Sequence, residues 1–249
     1  SGGFQNTYGG GIDDAFLVKF DPSGFRLWAT YYGGTVDDYG YVVSTDLSGN
    51  IYLAGQSNTT TGIASGGSQN IIGGVQDAFL VKFNSGGSRI WATYYGGTGA
   101  DLGFSVVTDP FRNVYLAGDT YSASGIASGG FQNSLVGADN EFVVKFDSAG
   151  IRLCATYYGQ STEKNGRIAL DGAGNVYLSG ATPSTSGIAS GGFQNTYGGG
   201  AYDAYVAKFS SCSVALAVIA VPTNVNCYEL CTGTGTASPT GGTNPYTYS

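Results

Sequence analysis

The chain has 249 residues, enough for one large β domain or two smaller ones, and carries 43 Gly and 19 Tyr but no His and no Met. Lacking His, it lacks the usual general base and the commonest metal ligand, which excludes Ser-His-Asp chemistry and His-based zinc sites for this segment. A formal net charge of −7 with only ten Lys and Arg argues against nucleic acid and anionic membrane as partners, because both need clustered cations.

Ser1-Gly-Gly-Phe-Gln-Asn opens the chain and recurs from Ser65 (with Ser68 for Phe), Ser128 and Ser190, a period of 62 to 64 residues. Each repeat is therefore one supersecondary unit that buries its faces against its neighbours. The second unit shows the elements most clearly. Ala78-Phe-Leu-Val-Lys-Phe83 predicts a strand apolar on both faces, as stacked sheets require. Asn84-Ser-Gly-Gly87, like Asp21-Pro-Ser-Gly24 and Asp147-Ser-Ala-Gly150, predicts a type I turn. A second strand follows at Ile90–Tyr95, ended by Gly96-Gly97, then a third at Phe104–Thr108. The turn Asp109-Pro-Phe-Arg-Asn113 leads to a fourth strand, Val114–Gly118.

Four antiparallel strands per unit is the arithmetic of a propeller blade, ranked ahead of a parallel solenoid with shorter rungs. The expected fold is all-β: an incomplete β-propeller of three four-stranded blades plus the first strand of a fourth over residues 1–211, then a partial small β module over 212–249. A closed propeller needs at least four blades, so the chain is expected to be an interior piece of a longer protein. The link between units, about Asp119 to Asp139, is long. Its recurring Gly-Ile-Ala-Ser-Gly-Gly predicts order, anchored by Ile63, Ile126 and Ile188 and by Phe4, Phe131 and Phe193.

Seven of the ten cations (Lys19, Lys82, Lys145, Lys208, Arg26, Arg89 and Arg152) fall at equivalent repeat positions and read as scaffold charges. The pairs Tyr31-Tyr32, Tyr94-Tyr95 and Tyr157-Tyr158 read as core rather than as a sugar-stacking surface, because they recur in every unit. Tyr121, Tyr197 and Tyr202 in the links are the better binding candidates. The longest apolar run, Val214–Val221, falls far short of the roughly 20 residues that span a bilayer.

The copies diverge most between the second and third strands. There Asp37, Asp38, Asp101 and Glu163 fall on one rim if the blades are related by rotation. Rim carboxylates could hold Ca²⁺ through loop oxygens, or they are turn formers that solvate the surface; no calcium-loop spacing is present. No catalytic residues and no other metal site are assigned. The turns at Asp46 and Asp171 superficially resemble the Asp-box of sialidase propellers, but lack its Thr-Trp; hairpin chemistry accounts for them.

The Asp-Ala-Phe-Leu-Val-Lys-Phe, Ala-Thr-Tyr-Tyr-Gly-Gly and Gly-Asn-Ile-Tyr-Leu-Ala-Gly runs, in fixed order over about residues 1 to 210, resemble the bacterial β-propeller repeat called SBBP. The resemblance implies a secreted or surface-displayed bacterial protein and no known catalytic residues. The tail, with Cys227-Tyr-Glu-Leu-Cys231 and Gly241-Gly-Thr-Asn-Pro-Tyr-Thr-Tyr248, resembles the start of an SprB-type repeat of gliding Bacteroidetes adhesins, which implies type IX secretion. In that compartment Cys227 and Cys231 are expected to form a disulfide. Cys154, standing where Trp28 and Trp91 stand in earlier copies, is expected to be a buried small apolar residue rather than a nucleophile; Cys212 has no evident partner here, which leaves pairing outside this segment open. The expected function is a non-catalytic structural or adhesive module whose propeller is a scaffold or docking platform for an extracellular glycan or protein. The alternative is an accessory propeller of a secreted polysaccharide-acting enzyme with catalysis elsewhere.

Overall fold

The computed structural model describes residues 2–210 and the backbone of two later strands, 217–222 and 235–240. Contacts divide the chain into two units, Ser1–Cys212 and Ser213–Ser249. In the second, β14 (Ala217–Pro222) and β15 (Gly235–Thr240) form an antiparallel pair. The proposed Cys227–Cys231 bridge lies outside the described residues, as does most of the SprB-like segment.

The first unit has thirteen strands and, among the described residues, no helix. They are β1 (Ala15–Phe20), β2 (Arg26–Tyr32), β3 (Asp38–Thr45), β4 (Ile51–Ser57), β5 (Asp77–Phe83), β6 (Arg89–Tyr95), β7 (Asp101–Thr108), β8 (Val114–Thr120), β9 (Asn140–Phe146), β10 (Arg152–Tyr158), β11 (Lys164–Leu170), β12 (Val176–Thr182) and β13 (Asp203–Phe209). The sheets are β1-β2, β3-β4-β5-β6, β7-β8-β9-β10 and β11-β12-β13, with every pairing antiparallel. The fold is therefore an all-β, unclosed propeller of repeated blades.

The blades are cut at a different point from the sequence unit. The sequence predicts β5-β6-β7-β8 as one blade; the structure instead joins β5 and β6 to β3 and β4 of the preceding unit. β4 and β5 pair without a slip from Ile51↔Phe83 to Ser57↔Asp77. The same thirteen strands thus form two four-stranded sheets flanked by a two-stranded and a three-stranded one, instead of three full blades and one strand. A period fixes the repeat length but not its phase, because every starting point gives the same spacing. The long link settles the phase: it leaves β4 or β8, runs along the outer strand, and returns into the same sheet.

That link is ordered, and it covers an edge. Ser65 exchanges backbone hydrogen bonds with Ala92, and Tyr94 N–H donates to Gln69 O at 2.9 Å; Ser128–Ala155 and Gln132–Tyr157 repeat the arrangement. The outer strands β6 and β10 are thereby shielded from edge-to-edge pairing. Ile63 and Ile126 are fully buried beneath it. The second tyrosine of each pair reaches up to the link backbone, as Tyr95 Oη donates to Ile126 O at 2.7 Å.

Every residue of β4, β5 and β8 is buried, as expected for central strands covered on both faces. One apolar cluster fills each of the three gaps between successive sheets. The middle gap, for example, packs Leu80, Trp91 and Tyr95 against Leu116, Phe142 and Phe146. The recurring cations are scaffold, as the sequence suggests. Lys82 lies 3.9 Å from Asp46 and over the Tyr52 ring, Lys145 likewise pairs with Asp109 and Tyr115, and Arg89 donates to Gly62 O and Ile63 O. In each hairpin turn an Asp or Asn at the first position accepts from two backbone N–H groups, two and four residues on. Asp109 Oδ1, for instance, accepts from Phe111 and Asn113, both at 2.9 Å. The left-handed position of these turns is Gly in every described copy but one, where Arg112 takes φ 68°.

Candidate functional site

The divergent loops bring Asp38, Asp101 and Glu163 to equivalent places, where all three are fully buried. Asp101 accepts from Gly97 N at 2.9 Å, from Ser122 Oγ at 2.7 Å and from Thr120 Oγ1. Asp38 accepts from Gly34 N at 2.7 Å and Thr59 Oγ1 at 2.9 Å. Glu163 accepts from Gln160 N, Ser161 N, Thr182 Oγ1, Ser184 Oγ and Asn140 Nδ2, at 2.9 to 3.2 Å. Each carboxylate is a bracket that ties the loop ahead of the third strand to the start of the long link.

The change from Asp to Glu has a local cause. Asp101 lies four positions after Gly97, but Glu163 lies only three after the counterpart Gln160. The additional methylene of Glu163 restores the reach that the shorter loop removes. Asp37 does not join this set; it is half-buried and accepts from Ile12 N at 2.6 Å. Every donor given to these oxygens is an N–H or O–H, as in a hydrogen-bond bracket. Among the described residues no group of three or more Asp, Glu or Cys is placed to hold a metal.

A second carboxyl faces each of the first two brackets across a glycine, Asp14 across Gly33 and Asp77 across Gly96. A Cβ on Gly96 would stand 2.4 Å from the Asp77 carboxyl carbon and 2.6 Å from an Asp101 oxygen. Asp77 is fully buried, and burial, with Asp101 adding repulsion, pushes its pKa up to about 6. Burial also pushes Asp101 and Asp38 upward. The third copy has Asn140 at this place: its Oδ1 accepts from Gln132 Nε2 and Val136 N, and its Nδ2 donates to Glu163. Asp77 makes the corresponding bonds to Gln69 and Gly73.

Asp77→Asn should therefore keep these contacts while removing a buried charge. Asp77 holds its proton more tightly folded than unfolded, so its contribution to stability is complete below about pH 4 and is lost as pH rises through about 6. The expected gain for Asp77→Asn is about 2 kcal/mol above pH 7 and none near pH 3, read from urea unfolding. An equal effect at both pH values would sink this account.

One buried group departs from the repeat. Where Ala15, Ala78 and Ala204 stand in the other copies, the third has Glu141, fully buried on β9. Tyr205 Oη donates to its Oε2, and its Oε1 has no hydrogen-bond partner. Burial, reinforced by Asp119 and Glu163, pushes its pKa up to about 9, and Tyr205 is raised by burial and by Glu141. Around it the ladder between β11 and β12 slips between Lys164 and Arg167. Asn165 adopts φ 67°, and its N–H turns to the Asp119 carboxylate at 3.1 Å. Sequence reasoning passed over Glu141; the signal was the loss of the Asp-Ala pair at 140–141. Cys154 is buried, as the sequence suggests, but it is disulfide-bonded, which that reading did not include.

The tyrosine pairs are core where sheets flank them: Tyr94, Tyr95 and Tyr157 are at most 2% exposed. Tyr121 and Tyr202 are exposed, and Tyr197 Oη is turned back onto Gly200 O at 2.8 Å. A groove of about 610 Å³ lies between β13 and the link around Ser184–Tyr197.

Comparison with known proteins places this architecture. The chain is 25% identical over 266 aligned positions to a protein named "Uncharacterized WD repeat-containing protein L264" from Acanthamoeba polyphaga mimivirus, an alignment covering 87% of this chain and 18% of that protein. The chain thus spans under a fifth of the length of that curated relative. Residues 90–125, which run from β6 through β7 and β8 into the link, match the family described as SBBP, beta-propeller repeat.

Proposed function

We propose that this chain is part of a non-catalytic propeller that serves as a rigid scaffold or docking platform in a large secreted or cell-surface bacterial protein, with an extracellular glycan or protein as its partner. A propeller repeat of this kind fits a structural or interaction module, and the WD repeats in the relative's name support the same reading. The observation that carries it is the use made of the divergent carboxylates. In three copies Asp38, Asp101 and Glu163 are buried and spent on loop hydrogen bonds. The loops are built to hold shape, not to present an acid and a base at the distances a glycosidase requires. The disulfide at Cys154 supports an oxidising compartment.

The test has two arms. Intact source cells are labelled with a membrane-impermeant amine reagent, and the full-length protein is expected to be labelled before lysis. Recovery of label only after rupture would overturn the surface location. The full-length protein is also screened on a glycan array and against surface polysaccharides, where binding without cleavage is expected. Hydrolysis abolished by Asp101→Asn would overturn the non-catalytic assignment.

A further inference from the structure

The disulfide of Cys154 stands in the place of a repeated inter-sheet clamp. In the first copy Trp28 on β2 donates through Nε1 to Ser85 O at 3.2 Å, in the β5–β6 turn of the next sheet. In the second, Trp91 on β6 does the same to Ser148 O at 3.0 Å, in the β9–β10 turn. The cross-strand neighbours Lys19 and Lys82 donate to the same two carbonyls at 2.9 and 3.1 Å. The turn presses its glycine against the indole: a Cβ on Gly87 would come within 2.9 Å of the Trp28 ring, and one on Gly150 within 2.7 Å of the Trp91 ring.

Counted by the repeat, Trp28 and Trp91 correspond to Cys154, and the turns Ser85-Gly86-Gly87 and Ser148-Ala149-Gly150 correspond to Ser211-Cys212-Ser213. In the sequence, three changes therefore fall at the positions that make this one contact in the earlier copies. Trp becomes Cys, the small residue in the middle of the turn becomes Cys, and the glycine pressed by the indole becomes Ser. With no indole at 154, the demand for glycine at 213 disappears. The separation is 58 residues each time: from 28 to 86, from 91 to 149 and from 154 to 212.

We infer that Cys154 is bonded to Cys212, so that a covalent clamp replaces the tryptophan clamp where the repeats end. Its partner must be one of the cysteines outside the described residues, 212, 227 or 231, and only Cys212 occupies the clamp register. The bond would tie β10 to the chain just after β13, the last strand of the three-stranded sheet. In forming it, one thiolate attacks the disulfide of a donor such as oxidised glutathione and releases one donor thiol. The second thiolate then displaces the other donor thiol. Two electrons pass to the donor, whose two sulfurs take up the two protons given up by the cysteines and leave as thiols.

The full chain is folded in a glutathione redox buffer, blocked with iodoacetamide and digested with chymotrypsin without reduction. Cleavage after Phe209, Leu216 and Tyr228 places Cys212 on a different peptide from Cys227 and Cys231. The expected product is Cys154–Tyr157 joined to Ser210–Leu216, lost on reduction. Cys154 joined to a peptide bearing Cys227 or Cys231, or recovered alkylated, would overturn the assignment. As a second readout, reductant should lower the thermal midpoint of the first unit by about 10 °C, and Cys212→Ser should abolish most of that shift. A Cys212→Ser chain that keeps the whole shift would equally overturn it.

Discussion

Replacing Glu141 by Gln is expected to stabilise the protein by about 3 kcal/mol at pH 8 and to leave it unchanged near pH 4. Glu141, on β9, is enclosed by β11, β12 and β13. Gly180 lies against its Oε1 and Gly166 against its carboxyl group. The charged groups that act on it are Asp119 and Glu163, which oppose ionisation, and Arg167, which favours it. Tyr205 supplies the hydrogen bond to the carboxyl, but burial dominates and carries the pKa from 4.5 to about 9.

Below pH 4.5 the carboxyl is protonated in both folded and unfolded chains, so pH has no leverage through it. Between there and about 9 the unfolded chain releases the proton and the folded chain keeps it, so stability falls as pH rises. Gln keeps an acceptor for Tyr205 and cannot ionise. Its unfolding free energy should therefore lack this part of the decline, while the declines owed to Asp77 and Asp119, both raised to about 6 chiefly by burial, remain in both proteins. Parallel urea-derived stability profiles for Glu141→Gln and the parent from pH 4 to 9 would mean that the carboxyl is not buried as described. Ala, the residue of the other copies, is a poorer probe, because it leaves the buried Tyr205 hydroxyl unpartnered.

Much of the fold was legible because repetition multiplies weak signals. A single Asp-x-x-Gly turn says little, but the same turn at fixed spacing between apolar runs defines strands and their antiparallel pairing. Phase was not legible, since Gly-rich loops precede both the third strand and the link, and nothing local says which one crosses to a new sheet. The candidate carboxylates were legible as a set but not in their surroundings. The hydroxyls that fill the brackets, Thr59, Ser122 and Ser184, come from the following link, 21 residues on from their carboxylate in each case. Their partnership appears only when β3 pairs with β4, β7 with β8 and β11 with β12. Glu141 and Cys154 carry the opposite lesson. Both break the repeat, and both turn out to be positions with unusual chemistry.

The bracket itself gives the largest loss to be expected from one substitution. Asp101→Ala should cost about 4 kcal/mol and lower the thermal midpoint by about 10 °C. The side chain holds three donors, Gly97 N, Thr120 Oγ1 and Ser122 Oγ, and both hydroxyl residues are fully buried. Alanine would strand those donors away from water and leave a small cavity between the loop and the link. Part of the loss is offset, because burial already disfavours the charged carboxylate and raises its pKa. Asp101→Asn retains an acceptor oxygen but directs an amide at one donor, so its cost should be smaller, about 1–2 kcal/mol. The effect should also be local before it is global. Hydrogen exchange at Gly97 and Gly99, whose N–H groups both reach Ser122 Oγ, should accelerate in Asp101→Ala ahead of exchange in β5 or β8. If Asp101→Ala unfolds within 1 kcal/mol of the parent (roughly the scatter of surface substitutions), the carboxylate is not what fastens the loop, and the strongest support for reading these acids as scaffold is gone.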